Sequence, residues 1–169
     1  MVITVSYHDT VNVLQGTIEK SRVPFERLAW LNLLAKSGAE PFVALAKDDN
    51  NQIALPLMRH NDRLEALTNW YNFTWRPIHS PAPQLLKAVA EGLRSKTHRV
   101  VMSPVPDEDR SASAIEIAFR DAGWSVLREH CDHNHVLDIK GRSFADYWSE
   151  RPGRMRTTLK RKAKKVEVK

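Results

Sequence analysis

The order of apolar and polar positions in the first part of the chain predicts strands around one helix. Strand-like alternation or continuous apolar runs occupy residues 2–7, 42–47, 52–59 and 63–68. The polar residues 48–51 between the second and third of these runs tolerate turn conformations, so the two runs predict a β-hairpin. Residues 26–37 carry leucines at helical spacing and are followed by Gly38, which predicts a helix that ends there.

Helices and strands alternate in the rest of the chain. The pattern predicts helices over residues 81–96 and 111–122, and strands over residues 98–103, 124–129 and 135–139. Residues 70–75 are rich in aromatic side chains but bounded by prolines, which restricts them to a short strand or a structured loop. Ser143 can cap a short helix over residues 144–149, and Pro152 fits the first turn of a basic helix. This order predicts an α/β domain with a mixed, largely antiparallel sheet flanked by helices, and a C-terminal basic helix.

The net charge of +6 is concentrated at the C-terminal end. From residue 149 onward, nine basic residues stand against two acidic ones, so this stretch carries +7 and the rest of the chain is nearly neutral. A content of 42% hydrophobic and 27% charged residues excludes the disordered and fibrous classes. There is no basic leader with an apolar core and no apolar run of the roughly 18 residues that a membrane helix needs. We therefore expect a cytoplasmic protein without a membrane span.

Several segments together carry a family resemblance. They are residues 122–124 (AGW), 134–139 (NHVLDI), 141–148 (GRSFADYW) and 151–162 (RPGRMRTTLKRK), preceded by residues 55–57 (LPL), 64–67 (LEAL) and 69–72 (NWYN) in the expected order. They resemble the first half and the junction of GNAT-type N-acyltransferases of the two-domain, CelD-like and FemAB-like family. In that family a basic helix joins two GNAT-like halves.

The resemblance implies a GNAT-like amino-terminal domain in residues 1–150 and a basic connector helix in residues 151–169, which would lead to a second GNAT domain that is missing here. It also implies that the first half is the non-catalytic, substrate side, and that the full reaction transfers an acyl group from a CoA thioester to an amine or hydroxyl. Acetyl-CoA-binding GNAT domains hold the pyrophosphate on an Arg/Gln-x-x-Gly-x-Gly/Ala loop at a helix start. The nearest segment, residues 120–125, falls at a predicted helix end. We expect no cofactor in this chain and an acyl-CoA, such as acetyl-CoA, in the second half.

The basic helix is the sharpest feature of the sequence. Its narrow apolar stripe consists of Met155, Leu159, Ala163 and Val166. Like charges recur at i, i+4 spacing around this stripe, so the isolated helix would be only partly formed. We expect it to pack on the missing half as a connector, or also to meet an anionic small molecule or envelope precursor through Arg154, Arg156 and Lys160. The rival function is a small module that contacts nucleic acid or anionic lipid, although the neutral body makes nucleic acid the weaker partner.

Residues 69–75 offer aromatic and amide side chains of the kind that line ligand clefts. In the resembled family this stretch lies near the groove between the halves, so Asn69, Tyr71, Asn72 and Trp75 are candidate substrate-binding residues. Ordinary core packing is the alternative for the aromatic side chains. No Ser/His/Asp, Cys/His or paired-carboxylate spacing indicates catalysis, so the catalytic residues stay unassigned.

One cluster has the side chains of a metal site. Cys131, His133 and His135 would share one face of an extended strand and suit zinc. Residues 132–134 are also good turn formers, a turn would separate the three side chains, and the sequence offers no clear fourth ligand. We therefore expect no metal, and the single cysteine excludes an internal disulfide.

Overall fold

The fold is built on a five-stranded sheet whose strands lie in chain order. The computed structural model describes residues 2–18, 21, 23–78, 82–131 and 141–164. The strands are β1 (Thr4–His8), β2 (Glu40–Lys47), β3 (Gln52–His60), β4 (Arg63–Ala66) and β5 (Val100–Val101). The first four pair antiparallel with their neighbours, and β5 pairs parallel with β4. The predicted α/β class with a mixed, largely antiparallel sheet is confirmed.

The described residues also form five α-helices. They are α1 (Leu28–Lys36), α2 (Pro83–Leu93), α3 (Ser111–Asp121), α4 (Phe144–Ser149) and α5 (Gly153–Ala163), with short 3-10 turns at Val11–Leu14 and Pro24–Glu26. The chain divides into two compact units, Met1–Cys131 and Asp132–Lys169, so α4 and α5 belong to the second unit. The sequence placed its domain boundary later, after residue 150. None of the described helices is long and apolar enough to cross a membrane.

Both faces of the sheet are covered, which explains the continuous apolar runs of β2 and β3. Successive side chains of a strand point to opposite faces. Ala44 and Leu55 therefore join the core cluster that contains residues of α2 and α3, whereas Val43 and Leu45 join the cluster that contains residues of α1. Two layers of helix thus enclose the sheet in the first unit.

Gly92 lets α2 lie close to β1. A Cβ atom at this position would overlap the hydroxyl group of Tyr7. Tyr7 is fixed on its other side because its ring stacks on Phe42 with 5.5 Å between centroids. Burial raises the pKa of the Tyr7 phenol. A glycine that weakens an isolated helix is therefore required here by packing.

Two predicted strands differ from the structure. The strand expected over residues 98–103 comprises only Val100–Val101. Residues 124–129 form no strand, so that prediction is wrong, because their side chains bind to helices instead: the Trp124 indole donates to the carbonyl oxygen of Ala90 at 2.8 Å. The strand predicted over residues 135–139 lies outside the described residues. Pro152 caps α5 from just outside the helix, whereas the sequence placed it in the first turn.

Candidate functional site

A rigid turn presents the first candidate residues. The side-chain Oδ1 of Asn69 accepts a hydrogen bond from the backbone N–H of Tyr71 at 2.9 Å, and the backbone N–H of Asn72 donates to the Asn69 carbonyl at 3.1 Å. The Oδ1 of Asn72 accepts from the backbone N–H of Asn69 at 3.1 Å and from the indole Nε1 of Trp30 in α1 at 3.2 Å. Two asparagine side chains therefore fix residues 69–72, in the manner typical of asparagine in turns.

The same loop separates exposed candidates from buried ones. Asn69 is exposed, Tyr71 keeps 71% of its surface accessible, and the adjacent Trp70 keeps 95%. Asn72 and Trp75 are only 8% and 4% exposed. Asn69 and Tyr71 are thus available to a ligand, whereas Asn72 and Trp75 form the framework that holds them.

Trp75 packs next to the carboxyl ends of β4 and β5. Ligands of open α/β sheets commonly bind outside the carboxyl ends of parallel strands, and β4 with β5 is the parallel pair in the described sheet. The backbone N–H of Trp75 donates to the Pro104 carbonyl at 2.7 Å, just beyond β5, and its indole Nε1 donates to the Pro56 carbonyl of β3 at 2.9 Å. Trp75 is therefore held between the ends of β3 and β5, beside the parallel pair.

Further aromatic side chains extend the exposed turn into a surface. Phe73 is 83% exposed, and its ring meets the edge of Phe25 at 5.7 Å between centroids. Phe25 in turn meets Trp30 at 5.4 Å. We call Phe25, Trp30, Trp70, Tyr71 and Phe73 the aromatic surface. Sequence reasoning missed Phe25, Trp30 and Phe73, although Trp30 falls outside the leucine stripe of its helix.

The arginine beside the aromatic surface is neutralised. Arg76 lies 2.6 Å from the Asp109 carboxylate through Nη1 and 3.3 Å from the Glu26 carboxylate through Nε. Asp109 and Glu26 are therefore both paired with Arg76, and neither carboxylate is left without a cationic partner. The aromatic surface therefore favours apolar or planar partners over strongly charged ones.

A concavity lies between β5, α3 and residues 124–131, with a volume of about 200 Å³ and a lining of both apolar and polar side chains. Arg128 lies at its rim and pairs with Asp107 at 2.8 Å and with Glu116 at 3.6 Å. Hydrogen bonds from Arg128 and then from Ser113 lower the pKa of Asp107 to about 2. This network ties the segment after α3 back to the helix.

Cys131 lies exposed at the edge of the same concavity, with its sulfur 3.8 Å from the Ser103 hydroxyl. The other two residues of the metal-like cluster, His133 and His135, lie outside the described residues. In the described part of the chain, no group of three His, Cys, Asp or Glu side chains has the geometry to hold a metal ion.

The remaining candidates, Arg154, Arg156 and Lys160, lie on α5 in the second unit. Arg154 and Lys160 are exposed and Arg156 is half-buried. The preceding α4 begins with a capping box, since Ser143 Oγ accepts from the Asp146 N–H and the Asp146 carboxylate accepts from the Ser143 N–H. The structure describes these basic residues within their own unit, separately from the aromatic surface.

No protein-family model, no curated protein and no solved structure matches the chain. Membership of the GNAT-type family is thus a proposal that rests on the residues that carry the resemblance.

Proposed function

We propose that this chain is the amino-terminal, substrate-side half of an acyl-CoA-dependent N-acyltransferase, and that a second GNAT-like half outside residues 1–169 holds the acyl donor. The observation that carries the proposal is a loop that buries Trp75 and exposes its neighbours. Trp75 packs beside the parallel strand pair, while Trp70 and Tyr71 of the same loop remain exposed. A half that presents an exposed aromatic surface suits the substrate side.

The helix starts beside the sheet also argue against a donor site in this half. A pyrophosphate group binds free backbone N–H groups in the first turn of a helix. At the start of α3, the N–H groups of Ser113 and Ser111 already donate to the carboxylates of Asp107 at 2.9 Å and Asp109 at 3.0 Å. The first turn of α2 contains Pro83, which has no N–H group. The start of α3 therefore has these two donors occupied, and the start of α2 has one donor fewer.

The role left to this half is to orient the acceptor. A rigid aromatic turn loses little conformational entropy on binding, and the side-chain amide of Asn69 adds a polar contact at its edge. In the second unit, Arg154, Arg156 and Lys160 offer separate contacts for an anionic small molecule or envelope precursor. Acyl transfer then needs a positioned nucleophile and a polarised carbonyl, which the proposal assigns to the assembled halves.

The first test is titration of the chain with acetyl-CoA in a calorimeter, beside a CoA-binding acyltransferase as positive control. We expect no binding heat from this chain, because the N–H groups at the start of α3 already have carboxylate partners. A specific site of micromolar affinity would overturn the proposal.

The second test uses the coding sequence that follows residue 169 in the genome. We expect a strand and a glycine-rich loop there, and the longer protein should bind acyl-CoA. In that protein the double change Trp70→Ala and Tyr71→Ala should raise KM for the acceptor about tenfold or more and leave acyl-CoA affinity unchanged. Leu127→Ala, which removes an 82% exposed side chain of the body, is the matched control. Equal loss in both variants would count against the aromatic surface as the acceptor site.

A further inference from the structure

Among the residues that the structure describes, the basic side chains around α5 have no acidic partner. They are Arg154, Arg156, Lys160, Arg161, Lys162 and Lys164, and residues 151–164 contain no acidic residue. The acid just before them, Glu150, is engaged by Arg142 and Arg151. Within the described residues, none of the six basic side chains forms an ion pair. The helix thus carries a concentrated positive charge that nothing described in its own unit neutralises.

The apolar stripe of α5 is open as well. Met155 and Leu159 remain 42% and 43% exposed, and α5 contains no buried residue. At 3.6 residues per turn, Met155, Leu159 and Ala163 fall within one arc of roughly 80°, with Lys162 and Arg156 on its two borders. On the preceding helix, Phe144 is 74% exposed. Apolar and cationic side chains therefore face outward together.

Such a helix could meet nucleic acid or an anionic lipid surface, and its combination of exposed apolar and cationic side chains favours the lipid. Contacts to a nucleic-acid backbone need cations and polar groups, and an exposed methionine and leucine add nothing to them. The interface of an anionic bilayer uses both kinds of side chain, since the stripe enters the acyl-chain boundary while the lysine and arginine stems reach back to the phosphates. Charge complementarity and the open stripe thus point to the same partner.

We propose that α5 lies in the plane of an anionic lipid surface, with Met155 and Leu159 towards the acyl chains and the six basic side chains among the headgroups. Such a helix lies on a membrane and does not cross it. The acyltransferase proposal also uses Arg154, Arg156 and Lys160, but the observation that carries it lies in the first unit at Trp70 and Trp75, so either proposal can fail while the other holds.

The experiment is sedimentation of the 169-residue chain with unilamellar vesicles of phosphatidylcholine alone or mixed with phosphatidylserine. We expect binding to the mixed vesicles only, a fall in binding as salt rises, and a gain of helical circular dichroism on binding. Equal binding to both lipids, or to neither, would overturn the proposal.

Two variants separate charge from insertion. Lys160→Gln with Lys162→Gln should lower vesicle partition about fivefold per charge removed. Leu159→Ser should lower it several-fold at unchanged charge. The matched controls lie in the first unit: Lys36→Gln with Arg99→Gln removes two exposed charges, and Leu33→Ser changes a leucine that is 51% exposed on α1. All four proteins should keep the melting temperature of the parent, because every changed side chain is exposed.

The outcomes are decisive in both directions. Loss of vesicle binding in the Leu159→Ser variant, with the Leu33→Ser control unaffected, supports insertion of α5. Full binding by Leu159→Ser would show a purely electrostatic contact and overturn the inserted geometry. A salt-sensitive shift of duplex DNA or RNA without vesicle binding would replace the lipid with nucleic acid.

Discussion

Trp70 and Trp75 lie in one loop but differ in burial, packing and hydrogen bonding. Trp75 is 4% exposed, packs into the larger core and donates its indole N–H to the Pro56 carbonyl. Trp70 is 95% exposed at the apex of a turn whose hydrogen bonds come from asparagines. Both residues are tryptophan, so only their neighbours determine which one is a core residue and which one is a candidate ligand contact.

Alanine substitution should separate the two tryptophans. Trp75→Ala should lower the free energy of unfolding by about 3–5 kcal/mol, because it leaves a cavity and removes the indole hydrogen bond to the Pro56 carbonyl. Trp70→Ala should change it by less than about 0.5 kcal/mol, as is usual for exposed positions. Urea denaturation of both variants measures the difference. A large cost at Trp70 would mean that the turn is covered in solution.

Asp107 gives a pH-dependent prediction. The hydrogen bonds from Arg128 and Ser113 lower its pKa from 3.8 to about 2. Because the folded-state pKa lies below the unfolded value, its contribution to stability is present above about pH 4 and is lost as the pH falls towards about 2. Asp107→Asn should therefore be less stable than the parent at neutral pH, and the two should converge near pH 2.

Denaturant midpoints measured across that pH range test this prediction. The matched control is Asp121→Asn, which changes an exposed aspartate of α3 without an ion pair in the described residues. A difference between Asp107→Asn and the parent that stays constant down to pH 2 would contradict the assigned role of Asp107.

At the scale of elements, the packing of α2 on β1 depends on a glycine, Gly92, which has no side chain. Gly92→Ala favours the isolated helix by roughly 1 kcal/mol. In the folded protein the new methyl group overlaps the Tyr7 hydroxyl, so we expect a net loss of about 1–3 kcal/mol. In a Tyr7→Phe background the hydroxyl is gone, and the same change should be neutral or stabilising.

A double-mutant cycle of thermal or urea unfolding measures this coupling between positions 7 and 92. Additive effects would show that α2 relaxes away from β1 and that the close approach is not required. The Tyr7→Phe single variant is the necessary reference, because it alone loses the hydroxyl.

The charges of α5 act in two directions. Lys160 lies at i, i+4 spacing from both Arg156 and Lys164, and each like-charge pair costs roughly 0.2–0.5 kcal/mol. Lys160, Arg161 and Lys162 occupy the last turn, where cations interact favourably with the helix dipole. The unfavourable and favourable effects of these charges on the stability of α5 therefore nearly cancel. The absence of any buried residue in α5 then decides its stability.

At the scale of the whole molecule, protection should differ between the two units. Both core clusters draw their described members from the first unit, whereas α5 buries no side chain. Backbone amides of α5 should exchange with deuterium quickly, and those of the paired strands β2 and β3 slowly. Adding the downstream half or anionic vesicles should slow exchange in α5. Equal protection of α5 and the sheet in the isolated chain would contradict both proposals for this helix.

The sequence alone determined the local features of this protein. The hairpin of β2 and β3 could be predicted because its turn is chemically explicit: the Asp48 carboxylate accepts from the N–H groups of Asn50 and Asn51 at 2.9 and 2.7 Å. Helical spacing likewise predicted α1, α2 and α3, and the charge run identified the basic character of α5. These features depend on residues close together in the chain, so their pattern carries the information.

Only the tertiary structure decided which candidate residues are exposed and which are engaged. Trp75 is buried because it reaches Pro56 and Pro104. Residues 124–129 do not form the predicted strand, because Trp124 bonds to α2 and Arg128 pairs with one acid before α3 and one on α3. Those partners are distant in sequence, and no periodicity encodes them. The physical reason is that the partners of a hydrogen bond and the walls of a cavity come from distant parts of the chain that only the fold brings together. Periodicity records only which face of an element is apolar.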